Sequence, residues 1–185
     1  YHGVVWYYKN FDASANPHPN GRTLLRFWQV DYNADVWLND VAVGSHEGGE
    51  SVFVLDVTNA VKPGAENRLA VRVLNPTQQP IDGIVLAETA HRNKALPYSS
   101  GNAWDQGGIW DSVELLNVPQ VWIEDLYARP DGKTGELRIQ ATLRNGGAAS
   151  LPARVAFSVA PANSGETLAT TELASDAAPG STLAE

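Results

Sequence analysis

A chain of 185 residues with 21 acidic against 13 basic side chains, a formal net charge of −8, lacks the basic face that nucleic-acid binding requires. No stretch approaches the roughly 18 apolar residues of a membrane-spanning helix, and the absence of cysteine removes disulfides, thiol nucleophiles and thiolate metal sites. At 43% hydrophobic and 18% charged residues, with six tryptophans, six tyrosines and four phenylalanines, the chain can build a core, which excludes disorder as its main state.

The chain opens on Tyr1-His2-Gly3-Val4-Val5-Trp6, already a strand pattern, with no methionine and no basic-then-apolar leader. The reading is a domain truncated at its N-terminus. Its compartment is left open, a bacterial cytoplasmic and a periplasmic or secreted location being equally compatible. "RTLLRFWQVD" is apolar on both faces and reads as a central strand. "ADVWLNDVAVGS" reads as two short strands around a two-residue turn at Asn39-Asp40, residue types that tolerate positive φ. "DVTNAVKPGAEN" is the one short helix candidate, with Thr58 as cap and Pro63-Gly64 as stop. "NRLAVRVLN" sends Leu69, Val71 and Val73 inward and Arg68 and Arg72 outward, and "IWDSVELL" puts Ile109, Val113 and Leu115 on one face. Trp6, Trp28 and Trp37 lie in strand patterns and are expected in the core or between sheets.

Composition shifts near Pro119. Residues after 118 keep only Trp122, Tyr127 and Phe157 among the aromatics and are rich in Ala, Ser and Thr. "NVPQV" is the short junction. Strands are expected near 121–129, 135–145, 152–160 and 166–174, followed by a polar tail, "SDAAPGSTLAE". Many short strands broken by Gly, Pro, Asn and Asp mean an all-β sandwich or barrel.

Chemistry-bearing patterns are few. Asp31, Asn33 and Asp35 have the spacing of a calcium loop, but Val36 and Ala42 occupy positions where a glycine and a bidentate glutamate are needed. His2, His18, His46 and His91 lack ligand spacing. No phosphate-cradling glycine loop and no nucleophile elbow is present, so neither metal nor cofactor is expected. Glycosidases need two carboxylates across a cleft. Glu47, Glu50, Glu88, Asp105 and Asp111 read instead as solvated or turn residues.

The segment from Pro76 to Gly108 is long, polar and poor in strand pattern, as functional loops often are. Within it Tyr98 and Trp104 offer π faces to the C–H face of a pyranose. Asn102, Asp105 and Gln106 offer groups for sugar hydroxyls. Trp104 suits stacking and end-plugging equally, whereas Trp110, at the start of a strand, is expected to plug the end of a sandwich. The run from His91 to Lys94 reads as solvated loop.

Three motifs resemble one family. "VWLNDVAVGSHEGGESVFVLDVT", through Val36, Trp37, Leu38, Asn39, Gly44, His46, Gly48, Gly49, Phe53, Asp56, Val57 and Thr58, resembles the sugar-binding jelly-roll domain of glycoside hydrolase family 2. That family includes β-galactosidases, β-glucuronidases and β-mannosidases. Asp40 and Glu50 depart from its turn glycine and its aromatic. "QGGIWDSVELL" resembles the family's closing strand and "VVWYYKNFD" its early one. The resemblance implies a jelly-roll β-sandwich over 1–118, followed by an immunoglobulin-like β-sandwich over 119–185, incomplete at its C-terminus. It implies a non-catalytic carbohydrate-binding or accessory part of an enzyme that hydrolyses O-glycosidic bonds. Its partners would be the glycan or glycoside substrate and a catalytic barrel in the same full-length chain, with no nucleic acid or membrane. The two catalytic glutamates lie in that barrel, so no residue here is assigned to catalysis. The same resemblance places Asn102 and Trp104 toward the sugar, in a carbohydrate-facing loop with His91, Tyr98 and Asp105. An autonomous carbohydrate-binding module and an adhesive sandwich stay open as alternatives.

Overall fold

The computed structural model describes residues 2–89 and 107–184. It is an all-β fold, and the described residues contain no α-helix. The chain divides into two compact units, Tyr1–Asn16 with Thr23–Asn117, and Pro17–Arg22 with Val118–Glu185.

In the first unit the strands are β1 (Gly3–Asp12), β2 (Arg22–Phe27), β3 (Val30–Asp31), β4 (Asn33–Leu38), β5 (Val41–Glu47), β6 (Phe53–Asp56), β7 (Glu66–Asn75), β8 (Gly108–Ile109) and β9 (Val113–Val118). They form one sheet of order β1-β7-β4-β5, a second of order β6-β2-β9, and a short β3-β8 pair. This is the sandwich that the resemblance implies. Period-two alternation aims one face of each strand inward. On β7 Leu69, Val71 and Val73 are buried, and on β4 Ala34, Val36 and Leu38. β2 is covered on both faces, with Thr23, Leu24, Leu25 and Phe27 all buried, as its double-sided apolar pattern predicts. Phe27 and Phe53 stack at the centre of this core, centroids 4.7 Å apart at 8°.

The Asn39-Asp40 turn has positive φ at both residues, 52° and 67°, which right-handed strand twist favours in a two-residue hairpin. Asn39 does more than turn. Its side chain donates to the Ala60 carbonyl and to Asn67 Oδ1, each at 2.8 Å, and accepts from the Arg68 N–H at 3.0 Å.

The helix expected from Thr58 does not form. The Ala60 and Val61 N–H groups both return to the Val57 carbonyl, giving a single turn. Thr58 is used elsewhere, its Oγ1 accepting from the Thr23 N–H on β2 at 2.9 Å. Asp56 Oδ1 takes the Thr58 N–H. The motif therefore pins β2 to the end of β6 rather than starting a helix.

The second unit holds β10 (Val121–Pro130), β11 (Leu137–Asn145), β12 (Leu151–Val159), β13 (Ala169–Ala177) and β14 (Gly180–Ala184). Sheet β10-β11-β14 and the ribbon β12-β13 share a core of Ala141, Leu143, Val155, Phe157, Ala177 and Ala184. The expected polar tail is structured: β14 pairs with β11, Ala184 opposite Ala141. Small buried alanines in place of large apolar residues conceal that strand in the sequence. The β10–β11 turn is closed by Asp131, whose carboxylate accepts the Lys133 and Thr134 N–H groups at 2.8 and 3.2 Å. Those backbone donors hold its carboxyl below the usual carboxylate range.

His46 on β5 lies flat on Phe53, 4.3 Å between centroids, with Nε2 2.9 Å from Ser51 Oγ. Partial burial lowers its pKa below 6.5. The unfolded chain then binds the proton more readily than the folded one, so stability is fully present above the unfolded pKa and falls with pH through the folded value. Melting temperature should drop between about pH 8 and about pH 5. His46→Gln should flatten that part of the slope, and an unchanged slope in the variant would assign it to other groups.

Candidate functional site

The sequence points to the segment before Gly108. His91, Tyr98, Asn102, Trp104 and Asp105 lie outside the described residues, as does the run from His91 to Lys94. What the structure places is the frame on either side of that segment.

On the upstream side the chain leaves β7 at Asn75, which is 3% exposed. It then makes a tight bridge in which Ile81 and Ile84 exchange backbone hydrogen bonds of 3.0 and 2.9 Å. A 3-10 turn, Leu86–Glu88, follows. Thr89 closes it, with both its N–H and its Oγ1 donating to the Leu86 carbonyl.

On the downstream side Gly107 and Gly108 re-enter the sandwich. A Cβ at Gly107 would collide with the Asn75 side-chain amide, and one at Gly108 with the Tyr7 hydroxyl. Gly108 also has φ of 109°, where a side chain is strained. Gly108 then pairs with Asp31 and Ile109 with Val30. Asp31 is 3% exposed, so a carboxylate is buried where the segment rejoins the fold.

Beside that root stands a polar-aromatic cluster. Arg26 donates to Glu114 Oε2 through Nε at 2.8 Å and Nη2 at 2.5 Å, and its guanidinium sits 4.7 Å from the Trp28 ring centroid. Hydrogen bonds from Arg26 and then from the Trp28 side chain lower the Glu114 pKa, against opposition from partial desolvation and Asp111. The Trp110 N–H donates to the Gln29 carbonyl and the Trp28 N–H to that of Ser112. Trp110 is 48% exposed, so it does not plug the sandwich as expected. β8 ends at Ile109, which packs against the core, and Trp110 follows it outside the strand.

Trp6 and Trp28, at 45% and 39% exposure, are likewise surface residues, and Trp37 is half-buried. For Trp6 and Trp37 the core expectation fails because the inward positions of β1 and β4 belong to the alternate residues, whereas Trp28 lies just past the end of β2, outside any strand. In the register Trp6 faces Arg72 and Trp37 faces Ala70, while Val71 and Val73 point into the core.

Of the carboxylates considered for acid-base work, Glu47, Glu50, Glu88 and Asp111 are exposed. Glu47 accepts from the Tyr32 hydroxyl at 2.8 Å. Asp35 of the calcium-like triplet is ion-paired to Arg72 at 3.2 Å. Among the described residues no cluster of three or more His, Asp or Glu has metal-holding geometry. A cavity of about 490 Å³ lies between β1 and β9, lined by Tyr7, Phe11, Leu25, Val71, Ile109 and Leu115. Its walls are almost wholly apolar, which suits packing rather than recognition of hydroxyls.

Comparison with known proteins gives consistent results. Residues 1–119 match the family model described as glycosyl hydrolases family 2, sugar binding domain. A β-glucuronidase of Bacteroides fragilis is 34% identical over 110 residues, 59% of this chain and 14% of that protein. A mannosylglycoprotein endo-β-mannosidase of Lilium longiflorum is 29% identical over 134 residues, 67% of this chain and 14% of its own length. The crystal structure of a glycosyl hydrolase family 2 member from Bacteroides cellulosilyticus superposes on 100% of this chain and 23% of its own. Its TM-score is 0.74 at 23% identity, a likeness of fold. The chain thus spans about one seventh of the length of these two curated relatives.

Proposed function

We propose a role that starts from the family: this chain belongs to the glycosyl hydrolases of family 2, through their sugar binding domain. Its role is that of a non-catalytic accessory part of a glycoside hydrolase. In that setting it braces a catalytic barrel carried by the same full-length protein and shapes the mouth of its pocket.

The observation that carries this reading is the family match across the whole first unit, combined with the small share of each relative that the chain spans. Residues 119–185, with five described strands, are read as an immunoglobulin-like sandwich.

Purified chain should not turn over aryl β-glycosides above a heat-killed control, and turnover would overturn the accessory role. An extended reading frame should add about 250–300 residues of alternating strand and helix pattern.

The carbohydrate-facing role belongs to His91, Tyr98, Asn102, Trp104 and Asp105, in the segment whose two roots the first unit fixes. Asn102 has both a donor and an acceptor for a sugar hydroxyl. In the full-length enzyme Asn102→Ala should weaken kcat/KM by roughly three- to ten-fold, the effect of one neutral hydrogen bond worth about 0.5–1.5 kcal/mol. The melting temperature should barely move. Unchanged kinetics would remove Asn102 from the site.

A further inference from the structure

The outer face of the β1-β7-β4-β5 sheet carries an aromatic patch. Two rows cross this sheet in register. One runs Trp6, Arg72, Asp35, and the next runs Tyr8, Ala70, Trp37. Directly paired residues share a face, and the core face is already taken by Leu69, Val71 and Val73. All six side chains therefore stand on the solvent side. Ala70 is the small member of its row, and across it the rings draw together. The Trp6 ring lies 6.1 Å from that of Tyr8 at only 9°, and 5.3 Å from that of Trp37. Trp6 is 45% and Tyr8 67% exposed.

Immediately beside the rings, Arg72 is ion-paired to Asp35 at 3.2 Å and also to Asp82. Arg72 sits one strand spacing, about 4.8 Å, from Trp6, and the Arg72–Asp35 row lies two residues, about 6.7 Å, along the strands from the Tyr8–Trp37 row. Aspartate is depleted from the cores of protein–protein interfaces, so two aspartates against the rings argue against a protein partner. A pyranose has the matching chemistry. One flat face of C–H groups lies on aromatic rings, while its hydroxyl rim meets carboxylate acceptors and guanidinium donors. Two carboxylates to one guanidinium leave the rim net negative, which favours a neutral sugar over a uronate.

We propose that Trp6, Tyr8 and Trp37, with the Asp35–Arg72–Asp82 cluster, form a surface binding site for a neutral hexose unit of a polysaccharide. Its three rings stand on β1 and β4, and Asp82 lies on the stretch that leads from β7 toward the segment before Gly108.

The test is affinity electrophoresis of this chain in native gels containing galactomannan, mixed-linkage β-glucan, xyloglucan or polygalacturonate. At least one of the three neutral polymers should retard the chain, and polygalacturonate should not. Trp6→Ala and Tyr8→Ala should each weaken that retardation by about two- to ten-fold, the scale of one aromatic stacking contact. Trp28→Ala, just past the end of β2 and outside this sheet, should leave it unchanged. Tyr8 is mostly exposed, so Tyr8→Ala should keep the wild-type melting temperature, which separates lost binding from lost fold. No retardation by any neutral polymer overturns the proposal, as does retardation that survives both substitutions. Concentration-dependent self-association abolished by Trp6→Ala would also overturn it, by making this face an interface between copies.

Discussion

Phe27→Ala should cost the first unit about 3–5 kcal/mol of stability, the range for removing a large aromatic from a closed core. Phe27 is fully buried on the central strand of its sheet. Its ring stacks on Phe53, whose ring in turn carries His46. Truncation leaves a void that neighbours fixed in two sheets cannot close. Folded domains hold only about 5–15 kcal/mol in total, so the variant should unfold at a much lower urea concentration. Trp28, the next residue, supplies a fluorescence probe. Phe27→Leu, which keeps most of the volume, should cost under about 1.5 kcal/mol. A Phe27→Ala loss below about 1 kcal/mol would mean that the core collapses around the site, and would contradict the packing described.

Asn67→Ala should be nearly as damaging although it removes no hydrophobic contact. Asn67 is 1% exposed. Its Oδ1 accepts from the Lys62 N–H at 2.7 Å and from Asn39 Nδ2 at 2.8 Å, and its Nδ2 donates to the Lys62 and Ala65 carbonyls at 3.0 and 2.8 Å. All four hydrogen-bonding positions of the amide are filled. Alanine orphans several partners, and each sealed unsatisfied group costs about 1–3 kcal/mol. Allowing for water that reaches some of them, the loss should be about 2–4 kcal/mol. Asn39→Ala shares part of the network, so the double variant should lose less than the sum of the single losses. Strict additivity in chemical denaturation would show that the two amides act separately.

What the sequence discloses follows from what is local. The turn at Asn39-Asp40, the alternation along β7 and the double-sided burial of β2 depend on turn chemistry and on a period of two within one segment. The outward Trp6 and Trp37 do not. A tryptophan in a strand pattern is assigned inward by its hydrophobicity, yet the sheet face it occupies is set by register against β7, a partner far along the chain. Thr58 fails as a helix cap for the same reason, because the group competing for its hydroxyl is on β2. β14 escapes notice because its buried residue is an alanine that needs Ala141 opposite it. The role of Asn67 is equally hidden, since nothing in "AENRLA" shows that two segments converge on one amide. At the candidate site, Gly107 and Gly108 are legible as a constrained root. The reason for the constraint, the closeness of Asn75 and Tyr7, appears only in three dimensions.

The pairing of β1 with β7 also sets a timetable for synthesis. Asp12 waits for Glu66 and Gly3 for Asn75. At about 5–20 residues per second on the ribosome, the partner emerges roughly 3–14 s after β1 does. Through that interval β1 has no β7 to pair with, and it displays Trp6, Tyr7, Tyr8 and Phe11 along an open edge. β2 waits longer still for β9, its neighbour on one side. Nascent chains arrested near residue 65 should therefore be captured by aromatic-seeking chaperones, and chains arrested after β9 has cleared the exit tunnel should be released.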